Sequence, residues 1–508
     1  MDVKRAYFYA AARREVYIEI PKEDWEPGDE TKVARLNLSL YGTRDAAQNW
    51  AEEYTATLNA AGFTTGLATP CNFVHEQREL FITVHGDDFS VTGPTESLKW
   101  LEKVMLKKYE IKSEYLGPEA GMQTEVRILN RTLRWTDSGL EYEPDQRHAE
   151  LIVQQMGLEG AKPVATPGVS DAEVNEEMRE ESPDLGPAEA TLYRGLAARL
   201  NYFALDRPDV QFAAKEASKF MSKPKTMDWD RLKRVARYLV GKPRYVHMFQ
   251  WQEMPVEVSA CSDSDWAGDR ISRKSTSGGT LSLGAHLIKS WSSTQPVIAL
   301  SSGEAELYAL VKAASQAAGL ISMMADFGLP AKAKAYTDAT AAIGIVHRRG
   351  LGKLRHINTQ YLWIQEKVHN KELDVGKVST TENPADLLTK HLKLETVLKH
   401  VSELGGRVEQ RRASTALKLN AVAKDSWDTS GAESGRWIRQ HKKLRACLFT
   451  PMKVAGGPIT GNEVGSRRIT RGVFKDGERF IHEDNWRASA DPHFRLTRLW
   501  QGVTEFVT

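Results

Sequence analysis

The sequence predicts a multidomain chain that combines α/β and α+β segments, on three observations. Its 508 residues exceed one ordinary core, so two or three domains are expected. Between about residues 251 and 400, short alternating runs interleave with helical stripes, which predicts a mixed sheet flanked by helices. Near the start, two apolar runs flank Gly86-Asp87-Asp88, which predicts two strands joined by a tight turn.

Taken in order, residues 80–91 are the hairpin. Adjacent aspartates at its apolar tip are costly unless a cation holds them, so metal binding is the economical reading of Asp87 and Asp88. Residues 97–108 and 146–157 read as helices around a strand pair near 127–129 and 133–135. Residues 163–187 are rich in Asp and Glu with interspersed Pro, Gly and Ser, which predicts a solvated acidic linker. Trp229, Leu232, Ala236 and Leu239 form an apolar helical stripe. Arg231, Lys233, Arg234 and Arg237 decorate its other faces: either solvated charges, or a face that tracks nucleic-acid phosphates without reading sequence.

The next segment carries four acids in contexts that suit metal ligands. Asp263 ends the alternating run Val256, Val258, Ala260, predicting a strand end. Further strands are expected at 280–283 and 287–291. Ser301 N-caps a helix that carries Glu306 and the stripe Leu307, Leu310, Val311, Ala314 and Ala317. Asp338 closes a short strand at 335–337, and helices are expected over 340–348 and 359–369, with a strand at 373–378. Asp386 sits in the first turn of a helix opened by Asn383-Pro384. Asp263, Glu306, Asp338 and Asp386 would converge on a point, a charge tolerable only with divalent cations, and hard Mg²⁺ prefers such oxygen ligands. Asp265 and Glu304 are the rival ligands, two residues from Asp263 and Glu306. Asp263 is preferred because it ends the strand.

Composition narrows the class. With 41% hydrophobic and 27% charged residues and a net charge of +2, the chain has an ordinary globular balance, and nucleic-acid affinity must come from local basic faces. No apolar run approaches the roughly 18 residues of a membrane span, so no membrane partner is expected. Cys71, Cys261 and Cys447 show no ligand spacing, which fits a reducing compartment. Residues 406–508 hold 19 Lys and Arg against 11 Asp and Glu, with Trp427, Trp437, Trp486 and Trp500 and no sustained periodicity.

The order Asp263, Glu306, Asp338, Asp386 resembles ribonuclease H. The words at 262–269, 273–279, 299–306, 355–357 and 383–390 are similar to the RNase H domain of copia-type retrotransposon Pol polyproteins. Asp2-Val3-Lys4-Arg5-Ala6-Tyr7-Phe8 resembles the first catalytic segment of reverse transcriptases, and 38–50 resembles the copia-type segment lining the nucleotide site. Glu306 is preferred to Glu304 because Glu-Leu-Tyr-Ala-Leu matches the family helix.

The resemblance implies a partial reverse-transcriptase palm and thumb over 1–162, the acidic linker at 163–187 and a helical connection over 188–250. An RNase H-like domain follows over 251–400, then a basic Trp-containing tail of unknown structure over 401–508. It implies RNA-directed DNA polymerase activity at Asp2, Asp87 and Asp88. Tyr7 would press on the nucleotide sugar, with Tyr41, Gly42 and Arg44 near nucleotide or template. Met1 directly precedes Asp2, so the preceding strand residues and the fingers are expected to be missing and the polymerase incomplete. It also implies an endonuclease that cuts the RNA strand of RNA–DNA hybrids with two Mg²⁺ per active site, Mn²⁺ being the alternative ion. The implied partners are the hybrid, an RNA template with a DNA primer, and deoxynucleoside triphosphates, in an intracellular setting (a cytoplasmic particle or the nucleus). Oligomeric state is left open. The competing reading is a catalytically dead relic that only binds nucleic acid or protein. A role for His356 in the Arg355-His356-Ile357 word is left open.

Overall fold

The chain was analysed as a computed structural model that describes residues 1–20, 25, 27–29, 31–169, 176–417, 419, 449–453 and 480–481. It divides into two compact units, Met1–Ser113 with Val422–Thr508, and Glu114–Ala421. Trp427, Trp437, Cys447, Trp486 and Trp500 lie outside the described residues.

In the first unit, alternation along Leu80, Ile82 and Val84 buries one face of a strand while Phe81 and Thr83 stay more exposed. The sheet contains β1 (Asp2–Val3), β2 (Thr64–Thr65), β3 (Asn72–His75), β4 (Leu80–His85), β5 (Asp88–Thr92) and β6 (Ile111–Lys112), in the order β2-β3-β4-β5-β1-β6. Trp50, Tyr54 and Leu58 of α1 (Ala46–Ala60) and Leu101 and Met105 of α2 (Thr95–Leu106) complete its core. The hairpin turns through Gly86 at φ 66°, a left-handed conformation that costs glycine little. Separately, Tyr17–Glu19 pairs antiparallel with Lys32–Leu36, which also pairs with Phe449–Lys453.

The second unit opens with β7 (Glu125–Ile128), β8 (Arg131–Thr136) and β9 (Gly139–Glu143). Helices α3 (Arg147–Gln155), α4 (Pro187–Phe203), α5 (Pro208–Ser218) and α6 (Thr226–Gly241) follow, sharing a core around Ile152, Tyr193, Leu196, Val210, Leu232 and Val235. Strand β10 (Arg244–Gln250) then pairs with β9, and its other edge takes Gly406–Glu409. One sheet thus joins strands from the expected thumb, connection and tail segments. Residues 401–409, placed in a tail of unknown structure, complete a helix over Leu394–Glu403 and then this edge strand.

The segment expected to be a solvated linker is partly structured. Glu176–Glu181 is helical, and the buried Arg179 donates to the buried Asp228 of α6 at 2.8–3.2 Å. Acidic composition predicted solvation, and the single arginine overrode it by supplying the buried carboxylate with its partner. Residues 170–175 lie outside the described residues.

The last sheet is built from β11 (Glu257–Asp265), β12 (Thr276–Leu283), β13 (His286–Thr294), β14 (Lys332–Thr337) and β15 (Leu373–Lys377), in the order β13-β12-β11-β14-β15. The first three strands run antiparallel, and β14 and β15 join β11 in parallel, which is the mixed sheet flanked by helices that the sequence predicts. α7 (Ser302–Asp326) lays Leu307, Leu310, Ala314 and Ala317 on Val258, Ala260 and Ala335. By length and composition alone α7 would cross a membrane, but its apolar stripe is this sheet's core. After β14 comes α8 (Thr340–Val346). The helix expected over 359–369 is a 3₁₀ turn at Thr359–Leu362 followed by a helix at Trp363–His369. Asp386 lies in a five-residue 3₁₀ turn, Pro384–Leu388, instead of an α-helix.

Candidate metal centre and nucleic-acid interface

The mixed sheet brings Asp263, from the C-terminal end of β11, to Glu306 in the second turn of α7 and to Asp338 just beyond β14. One carboxylate oxygen from each lies within 4.8 Å of the others, and Asp263 and Glu306 are buried. Parallel pairing of β11 with β14 sets Asp263 and Asp338 at the same sheet end, and the Ser301 cap fixes where α7 starts.

Neighbours orient each acid. The Ser264 backbone N–H and hydroxyl both donate to Glu306 Oε1, at 3.1 and 3.0 Å, and the Thr337 hydroxyl donates to Oε2 at 3.4 Å. Thr380 donates to Asp338 Oδ2 at 2.8 Å, and Thr389 donates to Asp263 Oδ2. Burial raises Glu306 to about 8, with further pressure from Asp263 and Asp338 against the Ser264 hydrogen bonds. Burial likewise raises Asp263 to about 7; Lys390 opposes this, and Asp386 and Asp338 add to it. Buried carboxylates that hold protons for want of a counter-charge suit a divalent cation.

Asp386 is not one of the three converging acids, but it adjoins them. Asn383 Oδ1 caps its turn at Ala385 N, and Asn383 Nδ2 donates to Ser262 O at 2.9 Å, tying the turn to β11. Lys390 Nζ lies 2.9 Å from Asp386 Oδ1 and 3.7 Å from Asp263 Oδ2. Close approach of this turn to β12 depends on Gly278. A Cβ there would lie 2.6 Å from Thr389 Cγ2 and 2.9 Å from Ala385 O.

The rivals are otherwise engaged. Asp265 Oδ1 accepts from Thr276 N across the β11–β12 pair. Glu304 accepts from Tyr308 at 2.6 Å, from Leu300 N at 3.0 Å and pairs with His356 Nε2 at 2.8 Å. His356 therefore pins the start of α7 through Glu304. Sequence reasoning missed Ser264, Thr389, Lys390 and Gly278 as builders of the site, although all four sit in words that carried the resemblance.

In the first unit, β1 lies beside β5 with Asp2 opposite Asp88, and Asp87 sits at the exposed hairpin turn. Trp50 Nε1 donates to Gly86 O at 2.8 Å, holding the tip on α1. The Tyr7 and Tyr41 rings pack at a tilt, their centroids 4.4 Å apart, and the Tyr41 hydroxyl is pushed up by burial, then by Asp87. Gly42 takes φ 92° and Arg44 is exposed. Among the described residues, however, only Asp263, Glu306 and Asp338 meet as a three-acid cluster. Asp2, Asp87 and Asp88 are neighbours by backbone without converging to that degree. Asp87 belongs to the turn and Asp88 to the strand, so their side chains leave the backbone from different elements.

Residues 1–169 match the family described as reverse transcriptase (RNA-dependent DNA polymerase). Across 77% of its length the chain is 27% identical to the retrovirus-related Pol polyprotein from transposon TNT 1-94 of Nicotiana tabacum. It is 29% identical, over the same share, to that from transposon RE2 of Arabidopsis thaliana. Residues 1–169 thus carry a reverse-transcriptase domain, and most of the chain is similar to Pol polyproteins of copia-type transposons. The chain spans 29% of the tobacco relative and 26% of the Arabidopsis one. A solved foamy viral protease-reverse transcriptase in complex with RNA/DNA hybrid aligns over 75% of this chain and 43% of its own, at 13% identity and TM-score 0.43.

The basic face of α6 is largely spent internally. Arg231 lies 3.8 Å from Asp228 and over the Phe220 ring, Arg234 donates to Thr166 at 3.2 Å, and Arg237 donates to Lys162 O at 2.9 Å. Lys233 alone of the four is exposed. The expected phosphate-tracking face is thus mostly a clamp on residues 162–166, because helical spacing cannot show which neighbour covers a charged face.

Proposed function

We propose that residues 251–400 carry a metal-dependent ribonuclease H that cuts the RNA strand of RNA–DNA hybrids, within a Pol fragment of reverse-transcriptase kind. The observation that carries this reading is the convergence of Asp263, Glu306 and Asp338 within 4.8 Å, with Asp386 beside them. The donor set is all oxygen, buried and short of positive charge, which fits Mg²⁺ and also Mn²⁺. Asp263, Glu306, Asp338 and Asp386 would hold the ions. Bound divalent cations would supply Lewis-acid activation of water and stabilisation of the departing 3′-oxygen. Ser264 and Thr389 hold the Glu306 and Asp263 carboxylates in place, so that little reorganisation is needed when cations and phosphate arrive. Hybrid recognition would rest on backbone shape and 2′-hydroxyl contacts.

The same reading assigns Asp2, Asp87 and Asp88 to RNA-directed nucleotidyl transfer, with Tyr7, Tyr41, Gly42 and Arg44 lining the nucleotide. Primer extension on an RNA template with deoxynucleoside triphosphates tests that half. For the nuclease, the purified chain is incubated with hybrid and Mg²⁺. Cleavage of the RNA strand alone, lost in Asp263→Asn, supports the proposal. Hybrid binding without cutting would leave the chain a non-catalytic binder.

A further inference from the structure

The four acids do not share one environment. Asp263, Glu306 and Asp338 face each other, whereas Asp263 and Asp386 face a lysine. Among the described residues, Lys390 is the cation ion-paired with either of those two aspartates, 2.9 Å from Asp386 and 3.7 Å from Asp263. Its placement is built. Asn383 anchors the turn to Ser262, Thr389 grips Asp263, and the next residue carries the ammonium back to Asp386. Gly278 leaves room for that turn to lie on β12.

We propose that Lys390 is a resident counter-ion which occupies the cation position between Asp263 and Asp386 until nucleic acid arrives, so that the substrate-free protein holds one divalent ion, at Asp263, Glu306 and Asp338. This rests on the nuclease reading above and deepens it. One divalent ion leaves the four carboxylates two charges short of neutral, and the ammonium halves that deficit, which weakens the drive to take a second ion. A substrate phosphate adds negative charge and restores that drive. Lys390 is free to yield, because its side chain is 45% exposed and flexible, and an ammonium is readily rehydrated. Lys390 is thus a positioning residue: it acts on where cations sit.

The probe is Mn²⁺, counted by electron paramagnetic resonance on the full-length chain without nucleic acid. Counts are taken relative to Asp263→Asn, so that ions held elsewhere cancel. The wild type is expected to show one ion that Asp263→Asn removes. Lys390→Met, which keeps the aliphatic stem, should show two, the second bound about tenfold more tightly than in the wild type, a discounted effect for a half-exposed charge. Lys390→Gln serves if the first variant melts early, and Lys390→Arg should keep one. Two equally tight ions in the wild type, or an unchanged count in folded Lys390→Met and Lys390→Gln, overturn the role of Lys390 and leave the nuclease reading standing. No ion sensitive to Asp263→Asn in any variant overturns both.

Discussion

Arg207 and Asp209, on either side of Pro208, form an ion pair in which neither side chain has any solvent exposure. Arg207 Nη2 lies 2.6 Å from Asp209 Oδ2, and Nε lies 2.8 Å from Oδ1. The Tyr238 hydroxyl donates to the same carboxylate at 2.8 Å, and the guanidinium reaches the carbonyls of Lys242 and Pro243. The pair therefore joins the start of α5 to the end of α6. Removing one member strands a buried charge, so Asp209→Ala should destabilise the second unit by about 3 to 5 kcal/mol. Chemical denaturation followed at the unit's tryptophans measures this. A loss below about 1 kcal/mol would show that water reaches the guanidinium.

Gly278 tests the packing of the Pro384–Leu388 turn on β12. An alanine Cβ meets Ala385 O and Thr389 Cγ2 below normal contact distance, and the first is backbone that cannot rotate away. Gly278→Ala should push the turn off β12 and carry Asp386 and Thr389 from Asp263. A misplacement near 1 Å predicts hybrid cleavage lower by about 10²-fold. Binding of the hybrid, read by fluorescence anisotropy, should change far less than cleavage. Equal losses in both would place the effect elsewhere.

The last sheet was legible because its signals are local. Alternation marked β11, the Ser301 cap marked α7, and the end of β14 marked Asp338, whereas β11 extends two residues past Asp263. Asp263 is preferred to Asp265 as the strand end, yet β11 runs on to Asp265, whose carboxylate accepts from Thr276 N across the sheet while Asp263 is the one that meets Glu306 and Asp338. What stayed hidden depends on contacts distant in sequence. Lys390 approaches Asp263 across 127 positions of chain, Arg179 finds Asp228, and Gly406–Glu409 joins a sheet begun at Glu125. No period in a sequence reports such partners.

The basic helix yields a prediction that separates a clamp from a binding face. Arg234 and Arg237 hold residues 162–166, so their alanine variants should lower the melting temperature while leaving the salt dependence of hybrid binding unchanged. Lys233 is exposed, and Lys233→Ala should reduce the slope of log affinity against log salt by about one phosphate contact. If Lys233→Ala leaves that slope untouched, α6 has no part in recognising nucleic acid.

The raised carboxylates make stability of the second unit depend jointly on pH and divalent cation. Unfolded aspartate and glutamate titrate near about 4, whereas Asp263 sits at about 7 and Glu306 at about 8 in the fold. Between those values the folded chain binds more protons than the unfolded one. Raising pH through this window therefore removes stability from the metal-free protein. Mg²⁺ binds the deprotonated acids of the folded state, so it opposes that loss by mass action. Its stabilising effect should be small near about pH 5.5, where both acids hold protons, and should grow towards about pH 8. Thermal melting with and without saturating Mg²⁺ at both values measures the difference. Glu306→Gln should flatten it, because the variant has one fewer proton to displace and a weaker ligand. Equal Mg²⁺ shifts at the two pH values would mean that these acids are not where the cation binds.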